Sequence, residues 1–272
     1  MTRGVSFLSV LGSICAPFYR EFPPANDLRP FVACTWVRFV RQTRSQASDA
    51  ILPDGCADIM MSNDQPPRIA GPDAFTRRVK LCDRQVIIGI RLRPGACRAI
   101  LGCPAEHLVN DGMLLSDVSS GAAELHCRLL MSDNVFSRLV ILESWVRIAA
   151  ERETANDRAV IAACRLLGSD PKIEIGDVAR LLDWNARMVH RQFIAACGYG
   201  PKHFQRIMRI QRALRAAHST PVGGLGDLAA AAGYADQAHM TRDFRQITGV
   251  TPAAYFADAA MPGWGAWINE DW

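Results

Sequence analysis

The sequence predicts an α+β fold, with a β-rich amino-terminal half and an all-helical carboxy-terminal half in a chain of 272 residues. Three observations predict this division. Short runs rich in Val and Ile, separated by clusters of Pro, Gly and Asp, lie in the amino-terminal part and are typical of strands. Apolar residues at helical spacing follow them. Two stretches near the carboxyl end repeat one another, which indicates a duplicated helical unit.

The composition is that of a globular protein. Hydrophobic residues make up 49% and charged residues 21%, values that exclude a disordered chain, a collagen-like repeat and a polytopic membrane protein. Because no run of about 18 apolar residues occurs, we expect no membrane partner. The formal net charge of +4 is too small to imply a polyanionic partner by itself, so the distribution of charge is more informative.

Nine cysteines are scattered through the chain, and no two of them form a CxxC pair. An odd number without short spacings fits neither a disulfide framework nor a structural zinc site. We therefore predict reduced, mostly buried thiols in a cytoplasmic protein, with no bound metal and no cofactor.

The two ends of the chain stand apart from both halves. An apolar run from Val5 to Ile14 follows Arg3 and faintly resembles a signal peptide, but its small residues are poorly placed for cleavage. We interpret residues 1–17 as a disordered start and residues 259–272 as a Trp-rich tail.

Three apolar or alternating runs in the amino-terminal half are predicted strands. They lie at residues 31–40, 51–61 and 85–93. The sequences Pro53-Asp54-Gly55 and Gly71-Pro72-Asp73 have the composition of tight turns. Arg93-Pro94-Gly95 is expected to end the last strand and to lead into a short helix at about residues 96–101.

Charged residues in this half have two interpretations each. Asp54, Asp58 and Asp73 could pair as carboxylates for chemistry, although turn and capping roles explain them more simply. Arg91 and Arg93 lie on one strand face, where they either bind an anionic effector, with Asp54 nearby, or form local salt bridges.

Two helical patterns follow, at residues 117–130 and 134–152. Their apolar residues recur at helical spacing, as at Leu125 and Leu129. Such a stripe is usually internal packing, and here it is either core or the seam of a homodimer.

The carboxy-terminal repeat is the strongest pattern in the chain. Residues 175–179 match residues 225–229 at an offset of 50, and Trp184 matches Tyr234 at the same offset. Five further pairs match at an offset of 51: Asn185 with Asp236, Arg191 with Arg242, Phe193 with Phe244, Gly198 with Gly249, and Pro201 with Pro252. A single insertion in a turn between two helices explains the change of offset.

Each copy is predicted to be a helix, a tight turn and a second helix. Asn185 and Asp236 are natural N-caps of the second helices, because their side-chain oxygens accept backbone N–H bonds that a helix start leaves unpaired. Gly198 and Gly249 are expected to end those helices. The apolar stripe, which includes Phe193 in the first copy, faces the core.

The segment from Asn185 to Ala217 contains seven basic residues and no acidic residue. The basic residues are Arg187, Arg191, Lys202, Arg206, Arg209, Arg212 and Arg215. Such a surface favours phosphate binding through release of condensed counterions, although an isolated stripe of this kind is often just a solvated helix face.

The segment from about Arg158 to Phe256 resembles the DNA-binding domain of the AraC/XylS transcription regulators. The matching strings are DVARLLDWNARMVHRQF with GYGPKHF, and DLAAAAGYADQAHMTRDF with ITGVTPAAY. The resemblance implies two helix-turn-helix units joined by a long helix, with two recognition helices in successive major grooves on one face of the DNA. Gly200 and Asp183 depart from residues common in the family, and Asp177 with Asp183 would weaken phosphate contacts of the first unit.

The amino-terminal half also has a resemblance, over about residues 18–120. The strings FPPANDLRPFVACTW, LPDGCADIMM, GPD and IGIRLRPGA resemble an uncharacterised domain that some AraC-type regulators carry. This implies a β-rich sensor or interaction module. We divide the chain into that module, a helical connector at residues 121–155 and a double helix-turn-helix domain at residues 156–258.

The helical phase assigns candidate DNA-binding residues. With Phe193 and Phe244 facing inward, the neighbouring outward positions are predicted to read bases, as the resemblance also implies. They are Arg187, His190 and Arg191 in the first unit, and Gln237, His239 and Arg242 in the second. The candidates for phosphate contacts are Lys202, Arg206, Arg209, Arg212 and Arg215. Removal of Arg206 or Arg209 is predicted to weaken binding to all sequences and to flatten its salt dependence.

The sequence as a whole predicts a transcription regulator and not an enzyme. Some AraC-type proteins carry an alkyl-acceptor domain for DNA repair, but His126-Cys127-Arg128 has the wrong order for its cysteine motif and no zinc set accompanies it. The expected partners are double-stranded DNA, RNA polymerase, a small-molecule effector and a second copy of the chain. The alternative is an amino-terminal half that binds another protein and no small ligand.

Overall fold

The computed structural model of the chain describes residues 18–41, 48–110, 112–219 and 224–257. The predictions for residues 1–17 and 259–272 fall outside these ranges. Strands occupy the amino-terminal part, and after residue 114 every regular element described is a helix. The predicted α+β class is therefore confirmed.

Antiparallel strands build the amino-terminal domain. They are β1 (Phe18–Phe22), β2 (Val32–Val40), β3 (Ser48–Ile51), β4 (Ala57–Ser62), β5 (Arg68–Ala70), β6 (Arg77–Lys80), β7 (Gln85–Leu92) and β8 (Gly112–Leu114). Six of them form one sheet in the order β1-β2-β7-β4-β5-β8, while β3 and β6 pair separately. The longest strands, β2 and β7, pair at the centre and are apolar almost throughout because both of their faces are covered.

The single strand predicted at residues 51–61 is in fact two strands. A turn interrupts it, in which the Asp54 side chain accepts a hydrogen bond from the backbone N–H of Cys56 at 2.8 Å. Gly55 in the same turn has a left-handed φ of +81°, which suits glycine. The turn redirects the chain, so that β3 pairs with β6 while β4 joins the main sheet beside β7.

Three helices complete the amino-terminal domain: α1 (Cys97–Leu101), α2 (Ala122–Leu130) and α3 (Val135–Ala150). The stripe on α3 that includes Leu139, Leu142 and Val146 is buried in one core with the main sheet and α2. This packing favours the core interpretation of the stripe over the dimer seam. Residues 121–155, predicted as a separate connector, pack mostly as part of the amino-terminal domain because their apolar face covers the sheet.

Seven helices form the rest of the described chain. They are α4 (Ala155–Ser169), α5 (Ile175–Leu181), α6 (Ala186–Cys197), α7 (Pro201–Ser219), α8 (Leu225–Ala231), α9 (Gln237–Thr248) and α10 (Pro252–Ala257). Helices α5 and α6 are the first helix-turn-helix unit, α8 and α9 are the second, and α7 joins them. Asp183 and Gly233 take the left-handed conformation in the two turns, with φ of 53° and 81°. None of the helices described is both long and apolar enough to cross a bilayer.

Helix α4 begins with a capping box that the predicted domain boundary at residue 156 would remove. The Thr154 hydroxyl accepts from the backbone N–H of Asp157, and the Asp157 carboxylate accepts from the backbone N–H of Thr154. We expect Thr154→Ala to lower the free energy of unfolding by about 1 kcal/mol, because a helix-start donor loses its partner. Urea unfolding measures the change, with Thr241→Ala inside α9 as the control. Equal losses in the two variants would contradict a capping role for Thr154.

Candidate nucleic-acid interface

Both second helices start with the predicted side-chain caps. The Asn185 carboxamide oxygen accepts from the backbone N–H of Met188 at 2.8 Å, and the Asp236 carboxylate accepts from that of His239 at 2.6 Å. Both helices end at glycines with left-handed φ, Gly198 at 80° and Gly249 at 82°. The repeat in the sequence is thus a repeat of caps and helix lengths, twelve residues in each copy.

Helix α6 separates its apolar and basic residues onto two faces. Val189 and Phe193 are fully buried, and the Phe193 ring packs edge-on against Phe204 of α7 with centroids 5.6 Å apart. Arg187, His190 and Arg191, the predicted base readers of the first unit, are all exposed. These three side chains are therefore available to a ligand in solution.

Helix α9 repeats this arrangement in the second unit. Met240 and Phe244 are fully buried, whereas Gln237 and Arg242 are exposed. The His239 side chain is less exposed than those of Gln237 and Arg242 and contacts two neighbouring residues. Its ring packs edge-on against Tyr234 at 5.2 Å, and Nε2 lies 3.8 Å from a carboxylate oxygen of Asp243. Gln237 and Arg242 are consequently the stronger candidates on this helix.

The arginines of α7 make contacts within the protein that the sequence analysis did not foresee. Arg206 Nε donates to Asp243 Oδ1 of α9 at 2.8 Å, and its other end bonds Gln246. Arg209 lies 3.6 Å from the second oxygen of Asp243 and stacks over the Tyr234 ring. Asp243 lies three residues after the buried Met240 and four residues before the buried Ile247, and this helical spacing was a sign in the sequence that it too would be buried.

The remaining basic residues of α7 differ in exposure. Arg212 donates to the backbone oxygens of Ala232 and Gly168, at 3.3 Å and 3.0 Å. Burial, with the charges of its arginine neighbours, lowers the pKa of Arg212 to about 10. Arg215 is half-buried and Lys202 is exposed. Phosphate contacts by Arg206, Arg209 and Arg212 would compete with these internal bonds, so Lys202 is the best placed of the five.

A double-mutant cycle on Arg206 and Asp243 separates a structural role from phosphate binding. Both side chains are at least three-quarters buried, so we expect a coupling energy of about 0.5–3 kcal/mol in the free energy of unfolding without DNA. Urea unfolding of Arg206→Ala, Asp243→Ala and the double variant measures it. A coupling energy near zero would instead support the original prediction that Arg206 acts on DNA phosphates.

The predicted effector residue Arg91 lies in a buried cluster of carboxylates. Its guanidinium is 3.2 Å from Asp58, 3.6 Å from Glu21 and 3.7 Å from Asp54. Trp36 Nε1 also donates to Asp58, at 2.8 Å. Burial raises the pKa of Asp54 above its usual range, and the charge of Arg91 opposes this shift. Local salt bridges therefore occupy both Arg91 and Asp54.

Arg93, the other predicted effector residue, lines a cleft of about 980 Å³ between the sheet and helix α4. Its Nε donates to the backbone oxygen of Arg29 at 2.8 Å. Arg158 and Arg165 line the facing wall on α4, with Ile161 between them. Four guanidiniums and two carboxylates in the lining make the cleft net positive.

The cysteines within the described ranges are unbridged, and five of the eight are buried. In those ranges no group of three or more His, Cys, Asp or Glu side chains is arranged to hold a metal ion. Cys127 is exposed on α2.

Asp73, the third carboxylate noted in the sequence, forms an ion pair with Arg77 at 3.0 Å.

Several solved structures are similar to this chain at low identity. The DNA-binding domain of AdpA in complex with a target DNA is 21% identical, covers 42% of this chain and 100% of its own, with a TM-score of 0.34. ToxT from Vibrio cholerae O395 is 10% identical, covers 89% of this chain and 96% of its own, with a TM-score of 0.41. The same protein bound to (E)-4-(8-methylnaphthalen-1-yl)but-3-enoic acid is 12% identical, with coverages of 89% and 98% and a TM-score of 0.43.

Each half of the chain contains a match to a protein-family model. No curated protein shows a significant match. Residues 20–113 match a domain of unknown function (DUF6597), and residues 178–258 match a helix-turn-helix domain. The second match begins within α5 and runs past the end of α10, so it includes nearly all of both units. The chain therefore joins a domain of unknown function to an AraC-type helix-turn-helix domain.

Proposed function

We propose that the protein reads two adjacent major grooves of double-stranded DNA, one with α6 and one with α9. The observation that carries this proposal is the repeated exposure of polar and basic side chains on the first turns of both helices, opposite a fully buried stripe. A helix presented in this way fits the major groove, where base edges differ in their donors and acceptors.

The side chains suggest what each helix reads. An arginine such as Arg187 or Arg242 can donate two hydrogen bonds to guanine O6 and N7, and Gln237 can pair with adenine N6 and N7. Two major grooves on one face of the duplex lie about 34 Å, or roughly 10 bp, apart. The protein should accordingly recognise two boxes about 10 bp apart, centre to centre.

The test is selection of DNA from a random pool by the purified chain, followed by footprinting of the enriched sequence. We expect two protected major-groove patches on one face, about one helical turn apart. Scrambling either box should reduce the binding free energy by about 1–3 kcal/mol for each mismatched base pair. Enrichment of no sequence, or protection of a single box, would contradict reading by two helices.

We further propose that an effector controls the protein from the amino-terminal domain, and that Arg93 contributes to its site. The positive cleft supports this, because its volume is in the range of small-molecule sites and its walls come from both domains. An organic anion would find guanidiniums on each wall. Arg91 pairs with the carboxylates of Asp54 and Asp58, so Arg91 and Asp54 are weaker candidates.

Thermal-shift measurement against a panel of anionic metabolites tests effector control. A ligand that binds the folded state alone adds about 2.7 kcal/mol of stability at a hundredfold excess over its Kd. We expect Arg93→Ala to abolish the shift and Arg128→Ala, exposed on α2, to retain it. If no metabolite raises the Tm while a partner protein is retained by the amino-terminal domain, the protein-interaction alternative is favoured.

A further inference from the structure

We propose that the amino-terminal domain is a brace that holds the two helix-turn-helix units in one relative orientation and thereby selects the spacing of the two DNA boxes. This inference rests on the proposed reading of two grooves. The amino-terminal domain contacts α6, α7 and α9 at positions other than the predicted base readers. Because each contact joins a different helix, the three together restrict how the units can move.

The first contact joins helix α1 to the first recognition helix. Arg98 of α1 lies 2.7 Å from the carboxylate of Asp157 in α4 and donates to the side-chain oxygen of Gln192 in α6 at 3.3 Å. Asn156 donates to the same oxygen at 2.8 Å. Gln192 is 8% exposed and directly follows Arg191 in the chain. Rotation of α6 would leave this buried amide without its partners Arg98 and Asn156.

The end of α6 is packed equally closely. A Cβ added at Gly198 would lie 1.9 Å from a methyl group of Val109 and 3.0 Å from the backbone oxygen of Ala105. The glycine thus allows the turn at residues 105–109 of the amino-terminal domain to touch the backbone of α6. Only backbone atoms and short side chains make this contact, so the turn and α6 have little freedom to slide past one another.

The second contact joins the turn at residues 52–55 to α7. Gln211 Nε2 donates to the backbone oxygen of Pro53 at 2.8 Å, in a buried bond. The Gly55 Cα is so close that an added Cβ would meet Phe204 at 3.1 Å and Met208 at 3.3 Å. The salt-bridged Asp54 lies within this turn, so the cluster around Arg91 stiffens the turn from the other side.

The third contact reaches the second unit. The backbone N–H of Thr76 donates to the backbone oxygen of Ile247, near the end of α9, at 3.0 Å. In the same loop the backbone oxygen of Ala74 lies 2.9 Å from His203 Nε2 in the first turn of α7. The ion pair between Asp73 and Arg77 spans this loop and holds its ends together. One loop therefore ties α7 and α9 to the same domain.

These contacts bear on the DNA because the direct link between the units runs through helix α7. One buried core contains Phe193 of the first unit, apolar residues of α7 and Phe244 of the second unit, and Arg206 and Arg209 of α7 pair with Asp243 of α9. Adding one base pair between the boxes moves the second box by about 3.4 Å and turns it around the duplex axis. A chain whose units are free to reorient can follow that movement, whereas a braced chain cannot. The brace should appear as a sharp preference for one spacing.

The experiment uses the full chain and the DNA selected by the wild type, with the box spacing changed by one base pair in either direction. The variants are Arg98→Met and Gln211→Leu, which remove two of the contacts, and Arg98→Lys, which keeps the charge opposite Asp157. Arg128→Met, exposed on α2, is the matched control. Cooperative urea unfolding identifies the variants that fold, and each folded variant decides the question alone.

We expect the ratio of affinities for the best and the shifted spacing to fall by about 2- to 30-fold in Arg98→Met and in Gln211→Leu, the range of coupling through packed contacts. Arg98→Lys should retain part of the ratio, and affinity for a single isolated box should be unchanged in all variants. An unchanged ratio in a folded variant would overturn the brace. Failure of the wild type to bind two-box DNA would instead refute the proposed function.

Discussion

Replacement of Arg91 by methionine is expected to lower the free energy of unfolding by about 3–5 kcal/mol at neutral pH, because it leaves buried carboxylates without their cation. Asp58, Glu21 and Asp54 all lie within 3.7 Å of the guanidinium, and their side chains are at most 20% exposed. Methionine fills similar volume without charge. The loss therefore reports the uncompensated carboxylates rather than a cavity.

The same variant should recover stability as the pH falls. Burial already raises the pKa of Asp54 in the wild type, and Arg91 opposes the shift. Without Arg91 the pKa in the folded state rises further above the unfolded value near 4. Between those two pKa values the folded state binds more protons than the unfolded state, so stability decreases as the pH rises through this window. The deficit of the variant should thus be largest near pH 8 and smaller at pH 5.

Urea unfolding of the wild type and of Arg91→Met at pH 8 and pH 5 measures both effects, with Arg128→Met as the control for loss of one exposed charge. A deficit below about 1 kcal/mol at pH 8 would place Arg91 among weak surface salt bridges. A deficit that grows toward pH 5 would contradict the sign of the carboxylate pKa shift.

The second large effect concerns DNA affinity. The variant with both Arg187→Ala and Arg242→Ala should lose about 2–6 kcal/mol of specific binding, since each bidentate contact to guanine contributes about 1–3 kcal/mol and separated positions are roughly additive. Each single variant should relax the base preference in one box only. Both side chains are exposed and lie on helices with buried cores, so stability should change little.

Binding of each single variant to DNA with either box scrambled checks this assignment. Scrambling the box that a variant no longer reads should cost that variant less than it costs the wild type. The control is Arg128→Ala, which also removes one positive charge but lies on α2, outside both helix-turn-helix units. If Arg187→Ala loses the same affinity on selected and on random DNA, Arg187 contacts phosphate and does not read a base.

The helix-turn-helix units were predictable because their determinants are local. Asn185 and Asp236 each cap a helix by accepting a hydrogen bond from the backbone N–H three residues later. Gly198 and Gly249 end the same two helices with a left-handed φ. The burial of Phe193 and Phe244 followed from helical spacing. The exposure of Arg187 and Arg242 then followed from the same phase.

The interrupted strand at residues 51–61 shows where a local pattern was insufficient. Its composition suits a strand on both sides of Gly55, and the sequence also shows the turn residues. The sequence does not show that the two strands pair with different partners. Whether β4 continues β3 or joins another sheet depends on β7, which lies some 30 residues away. Strand pairing across that distance leaves no local periodic trace.

The sequence by itself determined the α+β division, the duplicated unit, its caps and its exposed basic faces, because each depends on residues within one or two helical turns. The tertiary structure alone decided the partners of the charges. Asp58 faces Arg91 through the register of β4 and β7, and Asp243 meets Arg206 from 37 residues away. An arginine forms the same charge-assisted hydrogen bonds with a carboxylate as with a phosphate. Only the packed chain therefore shows which arginines remain available to DNA.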